Sequence, residues 1–435
     1  MNNNPYQALP DHCFWRRSIA GVGHADVDPV VHGKFQIERS DRIATAGSCF
    51  AQHIARHLQQ NGLSYFVTET VHPLVAHLAA DYNYGVFTAR YGNIYTTRQL
   101  IQTLKRAYGL FEPADLAWPG EAGHGIDPFR PRIQPEGFAS LDELVEDRRQ
   151  HFAAIRRAIE QMDVLVFTLG LTETWCHRTD GAAYPLCPGV AGGRFDPSAH
   201  VFVNLRVGEV ISDLEETVAF ILQRNPNARL ILTVSPVPLV ATMEDRSVLT
   251  STTYSKSVLR VAAEEVAARY QQVAYYPAYE IITGSFTGGR YFAEGLRDVT
   301  PAGVSHVMRL FTKHYVAGAE STPAATVRPA QDQNVAADEV QRELEKVAAV
   351  LCEEVSLDAE PVQAMAAAPV AQEVEAVAPP VRDSIAEDRD RSPAWSYLRG
   401  ATAEPPPKPA SPKLPPAPPV RASPWRGIWT RLSRS

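Results

Sequence analysis

A serine near the start of the chain follows a short apolar segment, in a position that suits a nucleophile. Residues 42–46 have the composition of a buried strand and Gly47 makes a turn. Ser48 then precedes residues 50–58, whose apolar side chains recur with the spacing of one helix face. At such a turn, free backbone N–H groups and the helix dipole stabilise a developing oxyanion. Ser48 is therefore a candidate nucleophile, although Gly-Ser before a helix is also a common N-cap sequence.

Cys49, the next residue, is a rival nucleophile. A thiol in the first residues of a helix is in general more acidic, and so more reactive, than an ordinary thiol. The same side chain also suits a small buried hydrophobe. We rank Cys49 below Ser48.

Five apolar segments alternate with helical segments in the first three-quarters of the chain. The first strand, turn and helix lead to a second strand, which predicts a βαβ unit with parallel strands. The alternation as a whole predicts an α/β protein whose sheet lies between helices. Residues 172–206 are rich in Gly and Pro and predict an irregular excursion. The predicted strands cover residues 42–46, 64–68, 164–169, 229–235 and 273–276, and the predicted helices cover residues 50–60, 98–107, 141–162, 209–223, 254–270 and 301–316.

Polar side chains follow several of these strands. In open parallel sheets, ligands bind beyond the carboxyl ends of the strands. We therefore expect the functional site among residues that follow a strand or precede the last helix. They are Gly47, Ser48 and Cys49; Gly170, Leu171, Thr172 and Glu173; Ser235 and Pro236; and Glu294, Arg297 and Asp298.

Several short sequence motifs occur along the chain in the order found in one protein family. The chain thereby resembles the GSCFA family over about residues 40–315. That family is similar to the SGNH hydrolases, which include esterases and acyl-transfer enzymes. The resemblance implies a three-layer α/β/α sandwich with a central parallel sheet, of the SGNH or flavodoxin-like type, with the nucleophile at Ser48. The motifs are Gly47-Ser-Cys-Phe-Ala51, Phe167-Thr-Leu-Gly-Leu-Thr-Glu-Thr-Trp175, Cys187-Pro-Gly-Val190, Thr233-Val-Ser-Pro-Val-Pro-Leu239 and Tyr254-Ser-Lys-Ser-Val-Leu-Arg260.

The resemblance also implies oxyanion donors. The superfamily uses a backbone Gly after its second strand. Gly85 matches that position and Gly92 is the alternative, while either glycine also suits a simple turn. An Asn after the third strand has its counterpart in Thr172, whose hydroxyl donates a hydrogen bond with shorter reach than an amide. Glu173, beside it, either orients a partner or is a solvated loop carboxylate.

The general base is the point at which the sequence departs from the superfamily, which places Asp and His three residues apart before its last helix. Residues 295–303 contain no such pair, and Asp298 stands where the His is expected. His306 falls inside the predicted last helix, so Asp298 with His306 is the best available pair. Participation of Asp298 alone, or no base at all, stays open. So does a base from the histidines expected in loops, which are His72, His177 and His200.

The composition changes about three-quarters of the way along the chain, where aromatic residues nearly vanish and Ala, Pro, Glu and Val dominate. We predict one domain over residues 1–318 and a largely disordered Ala/Pro-rich tail over residues 319–435. Within the tail, residues 332–356 predict a helix and residues 405–419 a stiff polyproline spacer. Residues 425–432 interleave aromatic and basic side chains. They suit weak binding to a membrane surface or a protein partner, or form an unstructured end.

The net charge and the cysteines limit the cellular location and the classes of partner that we expect. The net charge of −7 comes without a basic stripe, which argues against nucleic acid. Five cysteines without a CxxC pair favour reduced thiols in the cytoplasm, although Cys176 and Cys187 would pair in an oxidising compartment. No apolar run suits a signal peptide or a membrane span. Because no phosphate loop, dinucleotide fingerprint or zinc-spaced cluster occurs, we predict neither cofactor nor metal.

Together these features predict a Ser-dependent ester hydrolase or acyl-transfer enzyme acting on a small-molecule or carbohydrate ester. An acylated polysaccharide is implied by the superfamily alone. One alternative is an O-acyltransferase in surface-polysaccharide biosynthesis. Another is a non-catalytic SGNH-like binding or scaffold protein, because Asp-x-x-His is missing.

Overall fold

Helices and strands alternate along most of the chain. The computed structural model describes residues 4–79, 81–120, 123–318 and Leu357. The predicted helix at 332–356, the polyproline spacer and the aromatic-basic end lie outside the described residues. The domain limits 1–318 and 319–435 therefore remain predictions.

The strands and helices keep the predicted α/β order. In chain order the strands are β1 (Ile43–Gly47), β2 (Trp118–Pro119), β3 (Gly125–Ile126), β4 (Val164–Leu169), β5 (Glu173–His177), β6 (Ala183–Tyr184), β7 (His200–Asn204), β8 (Arg229–Val234) and β9 (Val273–Tyr275). The helices are α1 (Phe50–Gln60), α2 (Thr97–Ala107), α3 (Leu141–Gln161), α4 (Val207–Arg224), α5 (Val248–Arg269), α6 (Ala278–Thr283) and α7 (Pro301–Tyr315).

Four parallel strands form the central sheet in the order β1-β4-β8-β9. Side chains of β4 alternate between two apolar layers, so this strand is buried on both faces. Phe167 packs in the layer that holds α2, α3, α4 and α5. Val166 packs in the layer that holds α1, α6 and α7. The predicted three-layer α/β/α sandwich around a parallel sheet is thereby confirmed.

The second predicted strand, residues 64–68, is not a regular strand. It forms one parallel bridge, in which Tyr65 lies beside Ile43 of β1. Two residues further along β1, the N–H of Thr45 donates to the hydroxyl of Thr88 at 3.0 Å instead of to a neighbouring strand. A side chain thus replaces the backbone ladder at this edge, and β1 is the outer strand of the sheet.

Residues 172–206 are not the irregular excursion that their Gly and Pro content predicts. They contain a three-stranded antiparallel sheet in the order β6-β5-β7. In β5 the side chains of Thr174 and Cys176 are buried and alternate with half-buried ones. This period of two is the signal of a strand with one buried face. The sheet continues directly from the end of β4, so it lies over the carboxyl edge of the central sheet.

Two helices also differ from prediction. α5 begins at Val248, six residues before the predicted residue 254. Both apolar side chains of its first turn, Val248 and Leu249, are exposed, so no buried apolar stripe marks the start of the helix. The short α6 was not predicted. Thr300 caps α7 and Pro301 occupies its first turn, as predicted.

Buried charged side chains join α3 to the loops before it, and we call them the α3 charge cluster. Asp127, which is fully shielded from solvent, forms ion pairs with Arg130 at 2.9 Å and with Arg148 at 3.1 Å. Arg130 also bonds Asp147 at 2.7 Å, and Asp147 accepts from Arg90 at 2.9 Å. Although burial opposes ionisation, the surrounding arginines hold the pKa of Asp127 far below its usual range. The cluster fixes the segments that cover this flank of the sheet.

Within the described parts of the chain, no helix combines the length and the apolar character needed to cross a membrane.

Candidate active site

Ser48 lies in the tight turn between β1 and α1. Gly47 precedes it with φ of 137°, and a Cβ at that position would overlap the carbonyl oxygen of Thr168 in β4. Only glycine fits so close an approach at this φ. The N–H of Ser48 donates to the same oxygen at 3.2 Å. The turn thereby places Ser48 at the carboxyl edge of the central sheet.

The hydroxyl of Ser48 is buried and unbonded. Ser48 is 3% exposed, and its Oγ has no hydrogen-bond partner among the described residues. The hydroxyl does not cap α1, because the N-cap residue is Cys49 and no side chain caps the helix. An unsatisfied buried hydroxyl costs about 1–3 kcal/mol. A hydroxyl at a helix N-terminus that bonds no other group of the protein is available to a substrate.

Two backbone segments enclose Ser48. In the first segment, the N–H of Ile94 donates to the carbonyl of Gly47 at 2.8 Å. The following residue, Tyr95, accepts through its carbonyl from the N–H groups of Gly170 and Leu171 in the second segment. A Cβ on Gly170 would lie 3.1 Å from the Cβ of Ser48. Gly170 therefore packs directly against the serine, and a larger side chain there would crowd it.

A lysine from α5 lies on the far side of Gly170. Lys256 is 1% exposed, and its Nζ donates to the carbonyl oxygen of Gly170 at 2.6 Å. Lys256 is not among the site residues predicted from the sequence. Its position in the sequence could have indicated that it is buried. Lys256 lies three residues before Leu259 and seven before Ala263, which is the helical spacing of the buried face of α5. A lysine on such a stripe is rarely buried without a specific partner.

The two glycines predicted as oxyanion donors lie in different segments. Gly92 precedes Ile94 by two residues and so belongs to the segment that covers Ser48. Gly85 lies nearer the start of the loop, and nothing lies within 4 Å of a Cβ added to it. Both have positive φ, 69° and 79° respectively. Of the two, Gly92 is the one that the fold carries towards the serine.

Thr172 and Glu173 continue the chain from Gly170. The hydroxyl of Thr172 is fully buried and donates to Asn204 Oδ1 at 2.7 Å, so it ties β5 to the end of β7. Glu173 is half-buried and accepts from the hydroxyl of Thr242 at 2.7 Å. Burial raises the pKa of Glu173 above its usual value. These contacts hold both side chains away from the serine hydroxyl.

The structure does not bring Asp298 and His306 together. His306 lies in the second turn of α7, as predicted, but its Nδ1 bonds the hydroxyl of Tyr291 at 2.8 Å and its Nε2 bonds the carbonyl of Val27 at 2.9 Å. Asp298 is exposed. Both ring nitrogens of His306 are therefore engaged in packing, and neither is directed to Ser48.

The other candidate histidines are also held elsewhere. His72 is exposed and accepts from the N–H of Leu74. His177 and His200 lie at the ends of β5 and β7 rather than in loops, since the antiparallel sheet includes them. His177 faces Asp180 at 3.4 Å, and His200 accepts from the N–H of Asp196 at 3.1 Å.

A largely apolar cavity of about 250 Å³ begins one residue beyond Gly170. It lies between the antiparallel sheet and the segment that follows β8. Glu173 and Thr242 contribute its polar wall, and Leu357 also lines it. The main apolar lining residues are Leu171, Trp175, Leu186, Phe202, Leu239 and Met243.

Among the described residues no disulfide forms, so Cys176 and Cys187 are not paired with each other. Burial raises the pKa of both thiols to about 11. Cys49 is half-buried beside Ser48. Among the described residues, no three His, Cys, Asp or Glu side chains converge in a way that would hold a metal ion.

Comparison with known proteins identifies the family. None of the curated proteins matches the chain. One similar solved structure, "The structure of a putative platelet activating factor from Streptococcus pneumonia", is 15% identical, with a TM-score of 0.23. The match covers 39% of this chain and 65% of that one. The model of the GSCFA family matches residues 42–311, which is more than half of the chain and includes Ser48, Gly170 and Lys256, so this protein belongs to the GSCFA family.

Proposed function

We propose that this protein is a Ser48-dependent ester hydrolase or acyl-transfer enzyme. The observation that carries the proposal is the hydroxyl of Ser48, buried and unbonded at the N-terminus of α1. There the positive end of the helix dipole suits the oxyanion of a tetrahedral intermediate. The sequence motif around Ser48 supports the same role.

The apolar cavity beyond Gly170 suits the acyl group of the substrate. Its first lining residue, Leu171, is the neighbour of the glycine that packs against Ser48. Apolar side chains with few polar groups are the usual lining of a small-molecule site. We propose an acylated carbohydrate as the substrate, by analogy with the SGNH hydrolases, and the cytoplasm as the place of the reaction.

Labelling with a fluorophosphonate probe tests the nucleophile. We expect the wild type and Cys49→Ala to label and Ser48→Ala to remain unlabelled, with all three proteins melting cooperatively. Equal labelling of Ser48→Ala would exclude Ser48. Loss of the label in Cys49→Ala alone would assign the reaction to the thiol. A folded wild type that takes no label would favour a non-catalytic binding or scaffold protein.

Transfer to a bound acceptor is the second candidate reaction. It is favoured by the enclosure of Ser48, because a serine that is 3% exposed is shielded from bulk water. Turnover of p-nitrophenyl acetate with and without an oligosaccharide distinguishes the two reactions. An acetylated oligosaccharide among the products supports an O-acyltransferase, whereas acetate alone supports a hydrolase.

A further inference from the structure

A single glycine separates the candidate nucleophile from a buried lysine. Gly170 packs against the Cβ of Ser48, and its carbonyl oxygen accepts from Lys256 Nζ at 2.6 Å. Lys256 is 1% exposed and extends from the inner face of α5. Removing an amine from water to this degree is costly unless its surroundings give it a function or a partner.

A serine hydroxyl needs a base to become a nucleophile. His306, the histidine expected for that role, has both ring nitrogens engaged by Tyr291 and Val27. Ser48 Oγ has no hydrogen bond to any described residue, which includes every histidine between residues 4 and 318. No described histidine is bonded to Ser48 Oγ, so a side chain of another type has to be considered for this role.

Lysine is chemically able to do so. A buried amine exchanges its proton more readily than an exposed one and serves as a general base in several enzymes, including serine-lysine hydrolases. A neutral amine can still donate one N–H to the carbonyl of Gly170 while its lone pair accepts a proton. The bond to Gly170 thus holds the nitrogen at the glycine that packs against Ser48 in either protonation state.

We propose that Lys256 is the general base that activates Ser48, in the place that an imidazole occupies in the related superfamily. This inference rests on the proposed function. Nζ takes the proton of the Ser48 hydroxyl, directly or through one water, as Oγ forms a bond to the acyl carbon. When the tetrahedral intermediate collapses, the acyl carbon–oxygen bond to the leaving group breaks, and the leaving oxygen takes the proton back from Nζ. The acceptor, water or a sugar hydroxyl, then loses its proton to Nζ as its oxygen bonds the acyl carbon, the bond between that carbon and Ser48 Oγ breaks, and Oγ takes the proton from Nζ.

The rate of fluorophosphonate labelling at Ser48 tests this without knowledge of the natural substrate, because the probe reports activation of the serine. The informative variants are Lys256→Met, which removes the amine, and Lys256→Arg, which keeps a charged donor that does not give up its proton. Lys34→Met is the matched control. Lys34 also donates to backbone carbonyls, those of Ala267, Tyr270 and Val273, but at the distal end of α5.

We expect both Lys256 variants to label at least about 100-fold more slowly than the wild type, since a positioned base contributes roughly 10²–10⁴-fold. Lys34→Met should label at the wild-type rate. The wild-type rate should rise with pH to a plateau, which marks titration of a base, and both Lys256 variants should lose that plateau.

Three results would overturn the inference while the proposed function stands. In the first, Lys256→Arg labels within a few-fold of the wild type, so that Lys256 only positions Gly170. In the second, Lys256→Met does the same. In the third, which needs no variant and applies even if the substitutions unfold the protein, the wild-type rate rises in proportion to hydroxide without a plateau. A wild type that does not label at Ser48 would overturn the proposed function itself.

Discussion

The residue before the candidate nucleophile packs so closely against β4 that it has no room for a side chain. Gly47 combines a φ of 137° with direct apposition to the carbonyl of Thr168, so both the backbone conformation and the available space require glycine. The consequence is a turn sharp enough to leave Ser48 at the sheet edge without a capping role.

Replacing that glycine should be costly. We expect Gly47→Ala to lower the free energy of unfolding by about 3 kcal/mol, since the positive φ and the overlap with β4 act together. The measurement is urea denaturation. Gly62→Ala is the control, because Gly62 also has positive φ (66°) but nothing lies within 4 Å of the added Cβ. It should cost only about 1 kcal/mol. Equal losses at the two sites would contradict the close approach.

His306 should make the stability of the protein depend on pH. Burial, helped by Arg309, lowers the pKa of His306 to about 4. In the unfolded chain its pKa is about 6.5, so between these values the unfolded state binds the extra proton. The stabilisation is therefore complete above pH 6.5 and declines as the pH falls towards 4, by up to about 3 kcal/mol.

Urea denaturation between pH 7.5 and 4.5 measures this decline. His306→Gln should be less stable than the wild type at pH 7.5, because it loses its bonds to Tyr291 and Val27, and should show a shallower decline. The difference in slope isolates His306 from His53, whose pKa burial also lowers to about 4. Identical slopes in the two proteins would place the titrating group elsewhere.

Among the elements, those with a strong apolar period were predictable and those without one were not. The bounds of β4 match the prediction, because six consecutive apolar or small residues leave no other assignment. Residues 64–68 have the composition of a strand, but the hydroxyl of Thr88 takes the hydrogen bond that would have continued the ladder. In residues 172–206, the high Gly and Pro content concealed the alternation of buried and half-buried side chains in β5 and β7. In both segments the structure depends on pairing with residues distant in sequence, which a local sequence pattern does not reveal.

The cavity between the antiparallel sheet and the segment after β8 should set the length of the acyl group. Val190 lines it and is half-buried. We expect Val190→Trp to fill the cavity and to lower kcat/KM for long acyl esters at least about tenfold relative to acetyl esters, since each methylene in an apolar pocket is worth 1–3 kcal/mol.

The control for this experiment is Val145→Trp, which adds the same side chain at an exposed position on α3. It should leave the ratio of kcat/KM for p-nitrophenyl octanoate and p-nitrophenyl acetate unchanged. A similar ratio in Val190→Trp and the wild type would mean that the acyl group binds outside this cavity.

Across the protein, both apolar layers are built from residues between 30 and 316. A chain that ends at residue 320 should therefore melt cooperatively and within a few degrees of the full-length protein, as the change in composition predicts. Calorimetry on the two chains is the measurement. A loss of more than about 2 kcal/mol, which is several degrees for a protein of this size, would show that residues after 320 stabilise the domain. Leu357, 43% exposed where it lines the cavity, is too accessible to contribute that much alone.

The position of the candidate nucleophile was predictable, whereas its base was not. Ser48 was predictable from a local sequence motif, in which a strand is followed by a glycine and a helix. A parallel sheet places the turn of such a motif at its carboxyl edge. A base reaches the serine through packing. Lys256 is separated from Ser48 by more than two hundred residues, and it reaches Gly170, which packs against the serine, only because α5 packs against the segment after β4. His306 is close to the expected place in sequence, but Tyr291 and Val27 occupy both of its ring nitrogens.

The α3 charge cluster has a consequence for how this family changes over evolutionary time. Asp127 is shared by Arg130 and Arg148, so losing one member leaves an uncompensated buried charge, at a cost of about 3–5 kcal/mol. Replacing all members together by apolar side chains of similar volume carries no such penalty. Natural selection should therefore remove single substitutions in the cluster, so that its charged residues are either all retained or all replaced together. In an alignment of GSCFA proteins, the positions of Asp127, Arg130 and Arg148 should covary more strongly with one another than with the exposed pair Arg149 and Glu146 on the same helix. Independent variation at these positions would mean that the buried charges tolerate separation.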